Sequence, residues 1–172
     1  MSRVQGFPPI AARHATILIL GSMPGEASLR ARQYYAHPQN LFWRLIGELL
    51  AVDPAAPYRQ RTQALTRSGI ALWDVLQSCT RQGSLDSAID DATLVANDFA
   101  AFFRRHPRIA KVCFNGAKAE ACFRRHVMPV MPVMPGLSAT GRVNHTVVPV
   151  PSSLSTPTSS ASPRLANWRC SS

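Results

Sequence analysis

The stretch LILGSMPGEASLRARQYYAHPQNLFWRLIGELL, residues 18–50, joins a strand pattern to a helix pattern through a long connection. The aliphatic run of the strand ends at Gly21, and the apolar residues that follow Asn40 recur at helical spacing. A strand-to-helix connection in an α/β protein normally needs only about 2–6 residues. The connection 21–40 is much longer and rich in Gly, Pro, Tyr and Asn, which indicates a functional loop.

Strand and helix patterns alternate along the chain. The predicted strands are 15–20, 70–75, 109–114 and 145–150. The predicted helices are 41–50, 58–67, 92–106 and 117–127. The prolines of VMPVMPVMP, residues 127–135, predict an extended connection. This alternation predicts an α/β protein whose parallel sheet is covered on both faces. Because ligands bind at the carboxyl ends of such strands, one edge of the sheet should gather the segments 21–40, 74–87, 115–116 and 151–163.

Length and composition limit the class of protein. The 172 residues favour a single domain over 1–172, with its core over about 14–170, and 46% hydrophobic residues suffice for that core. The chain has no run of 18 apolar residues and no signal-peptide pattern, so we expect a cytoplasmic protein without a membrane span. The four cysteines are scattered and do not form the close pairs of zinc or iron–sulfur sites.

Positive charge is concentrated in the second half of the chain. Residues 1–98 carry nine basic and eight acidic side chains, whereas 99–172 carry ten basic side chains and one acidic, Glu120. Seventeen of the nineteen basic residues are arginines, which bind phosphate in bidentate fashion. This pattern favours a polyanionic partner, nucleic acid first. A compositional bias towards arginine without a binding role is the alternative.

Several short motifs resemble one known family. The motifs are GSMPG (21–25), QYYAHPQNLFW (33–43), LWDV (72–75), GSLDSAI (83–89) and FNG (114–116). Together they resemble the uracil-DNA glycosylase superfamily, most closely its hypoxanthine-DNA glycosylase branch, over about residues 16–126. The resemblance implies a three-layer αβα sandwich with a central four-stranded parallel sheet. It also implies a nucleoid-associated, monomeric enzyme that excises a deaminated base (hypoxanthine, or uracil or xanthine) from double- or single-stranded DNA. No metal and no organic cofactor is expected.

Two asparagines are the predicted catalytic residues. In the related mismatch-specific uracil glycosylases the glycine turn carries an Asn that holds water, but this chain has Met23 there. Asn40 is the nearest replacement, and an amide can orient water although it cannot act as a general base. The carboxamide of Asn115 can both donate to and accept from the lactam edge that uracil and hypoxanthine share. The alternatives are a helix N-cap for Asn40 and an Asn-Gly turn for Asn115.

The same resemblance implies a pocket for a flipped-out base. Its other expected residues are Gly21, Ser22, Met23, Gly25, Tyr35, His37 and Asp74. Tyr35 is expected to stack on the base while Tyr34 lies in the core, or the reverse. His37 is expected to shape the pocket through hydrogen bonds. Asp74 is expected either to contact base or water or to form an ion pair with an arginine.

The segment 151–163 stands where the superfamily has a DNA-gripping loop. Its expected DNA-binding residues are Pro151, Ser152, Ser153 and Leu154, the last as an apolar wedge, and Arg124 and Arg125 are expected to contact phosphates. The loop departs from the usual Pro-Ser-Thr-Ser-Pro-Ala pattern and lacks the His of uracil-specific families. A non-catalytic nucleic-acid binder is therefore the alternative function. A small-molecule enzyme that binds a nucleotide at 21–25 is a third, weakened by the lack of a phosphate-binding Lys.

Overall fold

The computed structural model describes residues 2–131 and 169–171. The strands are β1 (Ser2–Gln5), β2 (Ile17–Gly21), β3 (Ile70–Asp74), β4 (Leu76–Arg81), β5 (Ile89–Ala96), β6 (Lys111–Phe114) and β7 (Arg169–Ser171). The α-helices are α1 (Glu26–Ala31), α2 (Phe42–Leu50), α3 (Tyr58–Arg67), α4 (Phe99–Arg105) and α5 (Ala117–Cys122). Within the described residues, no helix is long and apolar enough to cross a membrane.

Three parallel strands form the centre of the main sheet, in the order β3-β2-β6. Gly21 at the end of β2 pairs with Asp74 at the end of β3, and Leu20 pairs with Phe114 at the end of β6. The fourth strand of this sheet, β7, runs antiparallel to β6. The predicted mixed α/β fold is confirmed, but the described sheet is not the expected set of four parallel strands. The predicted strand 145–150 lies outside the described residues.

Strand β2 is buried on both faces and separates two hydrophobic cores. Leu18 and Leu20 point into one core, while Ile17 and Ile19 point into the other, as the two-residue period of a strand requires. The first core is completed by residues of α4 and α5, among them Phe99, Phe102, Phe103, Ala119 and Cys122. The second is completed by residues of α2 and α3, among them Phe42, Trp43, Ile46, Leu50 and Leu65. Helices therefore pack on both faces of the parallel strands.

A second sheet, β1-β4-β5, is antiparallel and was not expected. It corrects the predicted helix 92–106, because β5 occupies Ile89–Ala96 and the helix α4 begins only at Phe99. Asp98 sets that start, since its side chain accepts a hydrogen bond from the N–H of Ala101 at 2.8 Å. The residues before it form a hairpin with β4 instead, and this strand pairing overrode the helical pattern.

The chain after α5 also differs from the expected extended connection. The helix continues as a π-helical turn over Phe123–Val127 and then a 3-10 turn over Met128–Val130. Pro129 fits because it lies in the first positions of the 3-10 turn, where its missing N–H is not needed. Pro129 therefore lies in a turn and not in an extended connection, and residues 132–135 of the repeat lie outside the described residues.

Gly47 in the middle of α2 is required by a close approach of the chain. A Cβ atom at this position would lie 2.5 Å from the carbonyl oxygen of Val52 and 2.8 Å from Pro54. The backbone of 51–52 folds back here, and the N–H of Val52 donates to the carbonyl of Gly47 at 3.0 Å. The end of α2 therefore packs against its own following turn, with no room for a side chain.

We expect Gly47→Ala to destabilise the fold, although alanine is the better helix former. Helix propensity alone would stabilise the variant by about 1 kcal/mol. The steric conflict with backbone should outweigh this gain and lower the free energy of unfolding by about 1–3 kcal/mol. Urea denaturation of the wild-type protein and the variant measures the difference. A more stable variant would show that the turn after α2 moves aside at little cost.

Candidate active site

A cavity of about 760 Å³ opens at the carboxyl ends of the three parallel strands. Each strand contributes the residue at its end: Gly21 from β2, Asp74 from β3 and Asn115 directly after β6. The loop between α1 and α2 forms another wall and contributes Tyr35, His37 and Asn40, among others. The volume lies in the range of pockets that enclose small ligands.

The glycine turn after β2 is held by the loop between β4 and β5. Ser22 Oγ donates to Asp86 Oδ1 at 2.6 Å, and the N–H of Glu26 donates to Ser84 Oγ at 2.9 Å. Arg81 Nη2 donates to the carbonyl of Pro24 at 2.6 Å. These three bonds fix the turn from one side, so its backbone is a rigid wall of the cavity.

Met23 and Gly25 belong to the same turn but differ in their surroundings. Both line the cavity, as expected. The side chain of Met23, however, is buried in the first hydrophobic core, so it contributes packing and carries no polar group to the site. Gly25 faces Ser84, which lies in ordinary van der Waals contact with the position of a Cβ atom there.

The two adjacent tyrosines have different environments. Tyr34 is buried in the second core, and its hydroxyl donates to the carbonyl of Pro8 at 3.2 Å. Tyr35 lines the cavity and has a left-handed backbone with φ of 54°. Its ring stacks on Phe42 with 4.1 Å between ring centroids. A left-handed tyrosine is strained, and strain of this kind concentrates at functional sites.

Gly21 allows two polar side chains to approach its backbone. A Cβ atom on Gly21 would run into the Asp74 carboxylate and lie 2.8 Å from the Tyr35 hydroxyl. Both oxygen-bearing groups therefore meet above the end of β2. The Tyr35 hydroxyl and Asp74 Oδ2 are buried and have no hydrogen-bond partner within the described residues. Buried polar atoms without partners are rare, and here they lie in the floor of a cavity.

Burial raises the pKa of the Asp74 carboxyl to about 7. The negative charge of Asp86 adds to the rise, and the buried guanidinium of Arg81 opposes it. Asp74 therefore exists in both protonation states near neutral pH. Burial and the charge of Asp74 also raise the pKa of Tyr35, so this phenol stays neutral. The Asn115 side chain beside it partly offsets that rise, although the pair lacks hydrogen-bond geometry.

Asn40 is exposed at the mouth of the cavity and forms the turn that leads into α2. Its Oδ1 accepts a hydrogen bond from the N–H of Phe42 at 2.9 Å, two residues along the chain, which is an Asx turn. The N-cap of α2 is Leu41, whose carbonyl accepts from the N–H of Leu45, so the expected N-cap role of Asn40 is replaced by this turn. The second lone pair of Oδ1 and both N–H donors of the amide remain for another partner. His37 lies in the same turn, where its Nδ1 accepts from the N–H of Gln39 at 3.2 Å.

Asn115 is anchored through its backbone. Its N–H donates to the carbonyl of Leu20 at 2.8 Å, which extends the β2–β6 pairing by one bond. Gly116 follows with φ of 116°, a value that L side chains rarely adopt, and α5 begins at Ala117. The Asn-Gly pair thus makes the expected turn, and the Asn115 side chain lines the cavity as well.

Of the predicted DNA-contacting residues, Arg124 and Arg125 are described, and neither lines the cavity. Arg124 donates to Glu120 at 3.1 Å, and Arg125 is exposed on the π-helical turn after α5. Residues Pro151, Ser152, Ser153 and Leu154 lie outside the described residues. The sequence pattern placed the segment 74–87 at this edge without singling out Arg81, Ser84 or Asp86. Ser84 and Asp86 belong to the motif GSLDSAI, which was informative only through its resemblance to the family. Their hydrogen bonds join segments far apart in the chain, which the sequence pattern does not reveal.

The fold and cavity define a class of protein: an α/β enzyme with an amide-lined site at the carboxyl edge of a parallel sheet. Within the described residues, no group of three His, Cys, Asp or Glu side chains could hold a metal ion. The chain belongs to the uracil DNA glycosylase superfamily, whose sequence profile matches residues 8–171. Membership makes it an enzyme of the DNA glycosylase class.

Similar proteins narrow this membership to one branch. The chain is 43% identical to a hypoxanthine DNA glycosylase of Methanosarcina barkeri over 116 residues, which are 67% of this chain and 72% of the relative. It is 40% identical to the hypoxanthine DNA glycosylase of Methanosarcina acetivorans, with the same coverage. A solution NMR structure of a candidate uracil DNA glycosylase from M. acetivorans matches with a TM-score of 0.62 and 38% identity. That match covers 72% of this chain and 78% of the other.

The buried Asp74 should make the folded protein less stable as the pH rises. Between the usual pKa of 3.8 and the raised value of about 7, the folded state keeps a proton that the unfolded chain loses. The contribution of Asp74 is therefore fully present below about pH 4 and is lost as the pH rises through about 7. A single titrating group changes the free energy of unfolding by at most about 1.36 kcal/mol per pH unit. We therefore expect the free energy of unfolding to fall by about 2 kcal/mol between pH 5 and 7.

Asp74→Asn is the comparison, because the amide cannot ionise. The free energy of unfolding, measured by urea denaturation from pH 5 to 8, should decline for the wild-type protein relative to this variant. The contributions of the other titrating groups to the free energy of unfolding cancel when the two proteins are compared. Parallel curves for the two proteins would contradict the raised pKa.

Proposed function

We propose that this enzyme hydrolyses the N-glycosidic bond of hypoxanthine that has flipped out of DNA, with uracil and xanthine as further candidate substrates. The observation that carries the proposal is the meeting of two carboxamides, Asn40 and Asn115, with Asp74 and Tyr35 in one cavity at the carboxyl edge of the sheet. The names of the two Methanosarcina relatives support the choice of base.

Asn115 is proposed to recognise the base. Hypoxanthine presents a carbonyl acceptor next to a ring N–H donor, and a carboxamide offers a matching donor and acceptor. When the glycosidic bond breaks, negative charge moves onto the base. The N–H of the Asn115 amide would stabilise this charge without a proton transfer. The position of Asn115 is fixed by its backbone bond to Leu20, so the donor needs little reorganisation during the reaction.

Asn40 is proposed to hold the attacking water near the anomeric carbon. Its Oδ1 has one lone pair left after accepting from the N–H of Phe42, and this lone pair can accept from water. The bond to Phe42 fixes the orientation of the side chain, so the structural and catalytic roles support each other. An amide cannot remove the proton from this water, so stabilisation of the leaving base supplies most of the catalysis.

Asp74 and Tyr35 are proposed to complete the floor of the base pocket. A neutral Asp74 carboxyl can donate a hydrogen bond to an oxygen or nitrogen of the base, and the neutral Tyr35 hydroxyl can do the same. Both groups have unused hydrogen-bonding capacity in the floor of the cavity. His37 is proposed to shape the mouth. The proposed DNA contacts are Pro151, Ser152, Ser153, Leu154, Arg124 and Arg125.

The proposal is tested with duplex oligonucleotides that carry a single hypoxanthine, uracil or xanthine. After incubation with the protein and treatment with alkali, strand breaks at hypoxanthine are expected. Asn115→Ala is the matched variant: it should bind the duplex as the wild-type protein does and produce few breaks. Retarded bands without breaks for the wild-type protein would overturn catalysis and favour the non-catalytic binder.

Variants of Asn40 separate its two roles. Asn40→Ala should lose the hydrogen bond to the N–H of Phe42, at a cost of about 0.5–1.5 kcal/mol, and should lower the single-turnover rate by about 10²-fold or more. Asn40→Asp keeps an oxygen that accepts from Phe42, so its melting temperature should stay near that of the wild-type protein. Its rate should acquire a new pH dependence, because a carboxylate accepts the proton that an amide cannot.

Asp53→Ala serves as the control for the Asn40 variants. Asp53 Oδ1 accepts from the N–H of Ala55 at 2.8 Å, also two residues along the chain, and Asp53 does not line the cavity. This variant should lose stability without losing rate. A folded Asn40→Ala protein with near-wild-type excision would end the catalytic assignment of Asn40.

A further inference from the structure

A second cavity, of about 430 Å³, lies at the opposite end of the parallel strands. Its lining residues are Arg13, His14, Arg104, Arg105, Pro107 and Arg108. Arg13 and His14 lie shortly before β2, Arg104 and Arg105 end α4, and Pro107 and Arg108 lie between α4 and β6. The cavity therefore lies at the amino ends of β2 and β6, whereas the candidate active site lies at their carboxyl ends. Along β2 alone, from Ile17 to Gly21, the separation is about 13 Å.

The two segments that carry these arginines are bonded to each other and to the sheet. The N–H of Ala110 donates to the carbonyl of Thr16 at 3.0 Å, and the His106 ring lies 3.3 Å from the carbonyl of Ala12. The N–H of Ile109 donates to the carbonyl of His106 at 3.2 Å. The arginines thus project from a backbone framework whose shape is fixed by hydrogen bonds.

The charge in this cavity is not neutralised by the described part of the chain. No carboxylate within residues 2–131 forms an ion pair with Arg13, Arg104, Arg105 or Arg108, and all four are exposed. Four like charges around one cavity repel each other, and a bound polyanion would relieve that repulsion. Arginine is also the side chain best shaped to bind phosphate oxygens in pairs.

A helix-terminal role explains only half of the cluster. Arg104 and Arg105 lie in the last turn of α4, where positive charge stabilises the helix dipole. Arg13 and Arg108 lie on other segments, so the dipole of α4 does not account for their convergence. A ligand that spans the cavity accounts for all four.

We propose that the arginine cavity is a second binding site for nucleic-acid phosphates, through which one molecule holds two DNA segments at opposite ends of its sheet. The choice of DNA as the polyanion rests on the proposed function. The two cavities lie at opposite ends of β2, and in this proposal each holds its own DNA segment. The binding is electrostatic and reads no sequence.

The test is the capture of a second duplex. A lesion-containing duplex is fixed on beads, the full chain is added, and retention of a labelled undamaged duplex is measured, with sedimentation showing that the protein is monomeric. The double variant Arg104→Gln with Arg108→Gln should reduce capture by about 10-fold. It should lower the log–log salt slope of capture by about 2. Affinity for the first duplex should change less than threefold.

Arg59→Gln with Arg67→Gln is the matched control, because it removes the same charge from exposed positions on α3 that line neither cavity. This control should keep second-duplex capture within twofold of the wild-type protein. An equal loss of second-duplex capture in both double variants would show that the effect depends only on net charge, and it would overturn the site. Equal loss of first- and second-duplex binding would place the arginines in a single DNA footprint and would also overturn it.

Two further outcomes separate this inference from the proposed function. A wild-type protein that excises hypoxanthine but captures no second duplex would overturn the site and leave the glycosylase proposal standing. A protein that captures the second duplex but does not excise hypoxanthine would overturn the glycosylase proposal and leave the second binding site standing. Thermal stabilisation by inorganic tripolyphosphate without duplex capture would show an anion site that does not hold DNA.

Discussion

Burial of β2 on both of its faces is the constraint on which the rest of the structure depends. A five-residue strand whose alternate side chains enter two separate cores must have helices on both sides and a paired strand at each edge. Those neighbours, β3 and β6, run parallel to it, so all three strands end at the same edge. The candidate active-site residues meet because the strands that carry them are held in register by this shared burial.

The sequence predicted those parts of the fold that follow from local pattern. The helix 58–67 agrees with α3, and 41–50 and 15–20 agree closely with α2 and β2. The helix 92–106 was wrong in its first half, because residues 89–96 form a hairpin with the preceding strand β4. The pattern of apolar and polar residues within one short stretch of sequence does not reveal which strand that stretch pairs with.

The site was predictable where it follows strand ends and unpredictable where it depends on tertiary contacts. Gly21, Asp74 and Asn115 could be assigned to one edge because each closes a predicted strand. Of the two tyrosines, sequence alone left the order open, and only the packing shows Tyr34 in the core. The raised pKa of Asp74 and the bonds of Ser84 and Asp86 to the glycine turn depend on burial and contact, which residue types do not reveal.

The three hydrogen bonds that hold the glycine turn after β2 have a consequence for how the protein folds. They join residues 64, 58 and 57 positions apart in the chain. Closing loops of this length has an entropic cost that local helix formation does not have. The turn therefore cannot acquire its shape in the unfolded ensemble. Its shape requires β4 and the loop between β4 and β5 to lie beside the parallel strands, so the candidate active-site cavity is a product of the whole fold.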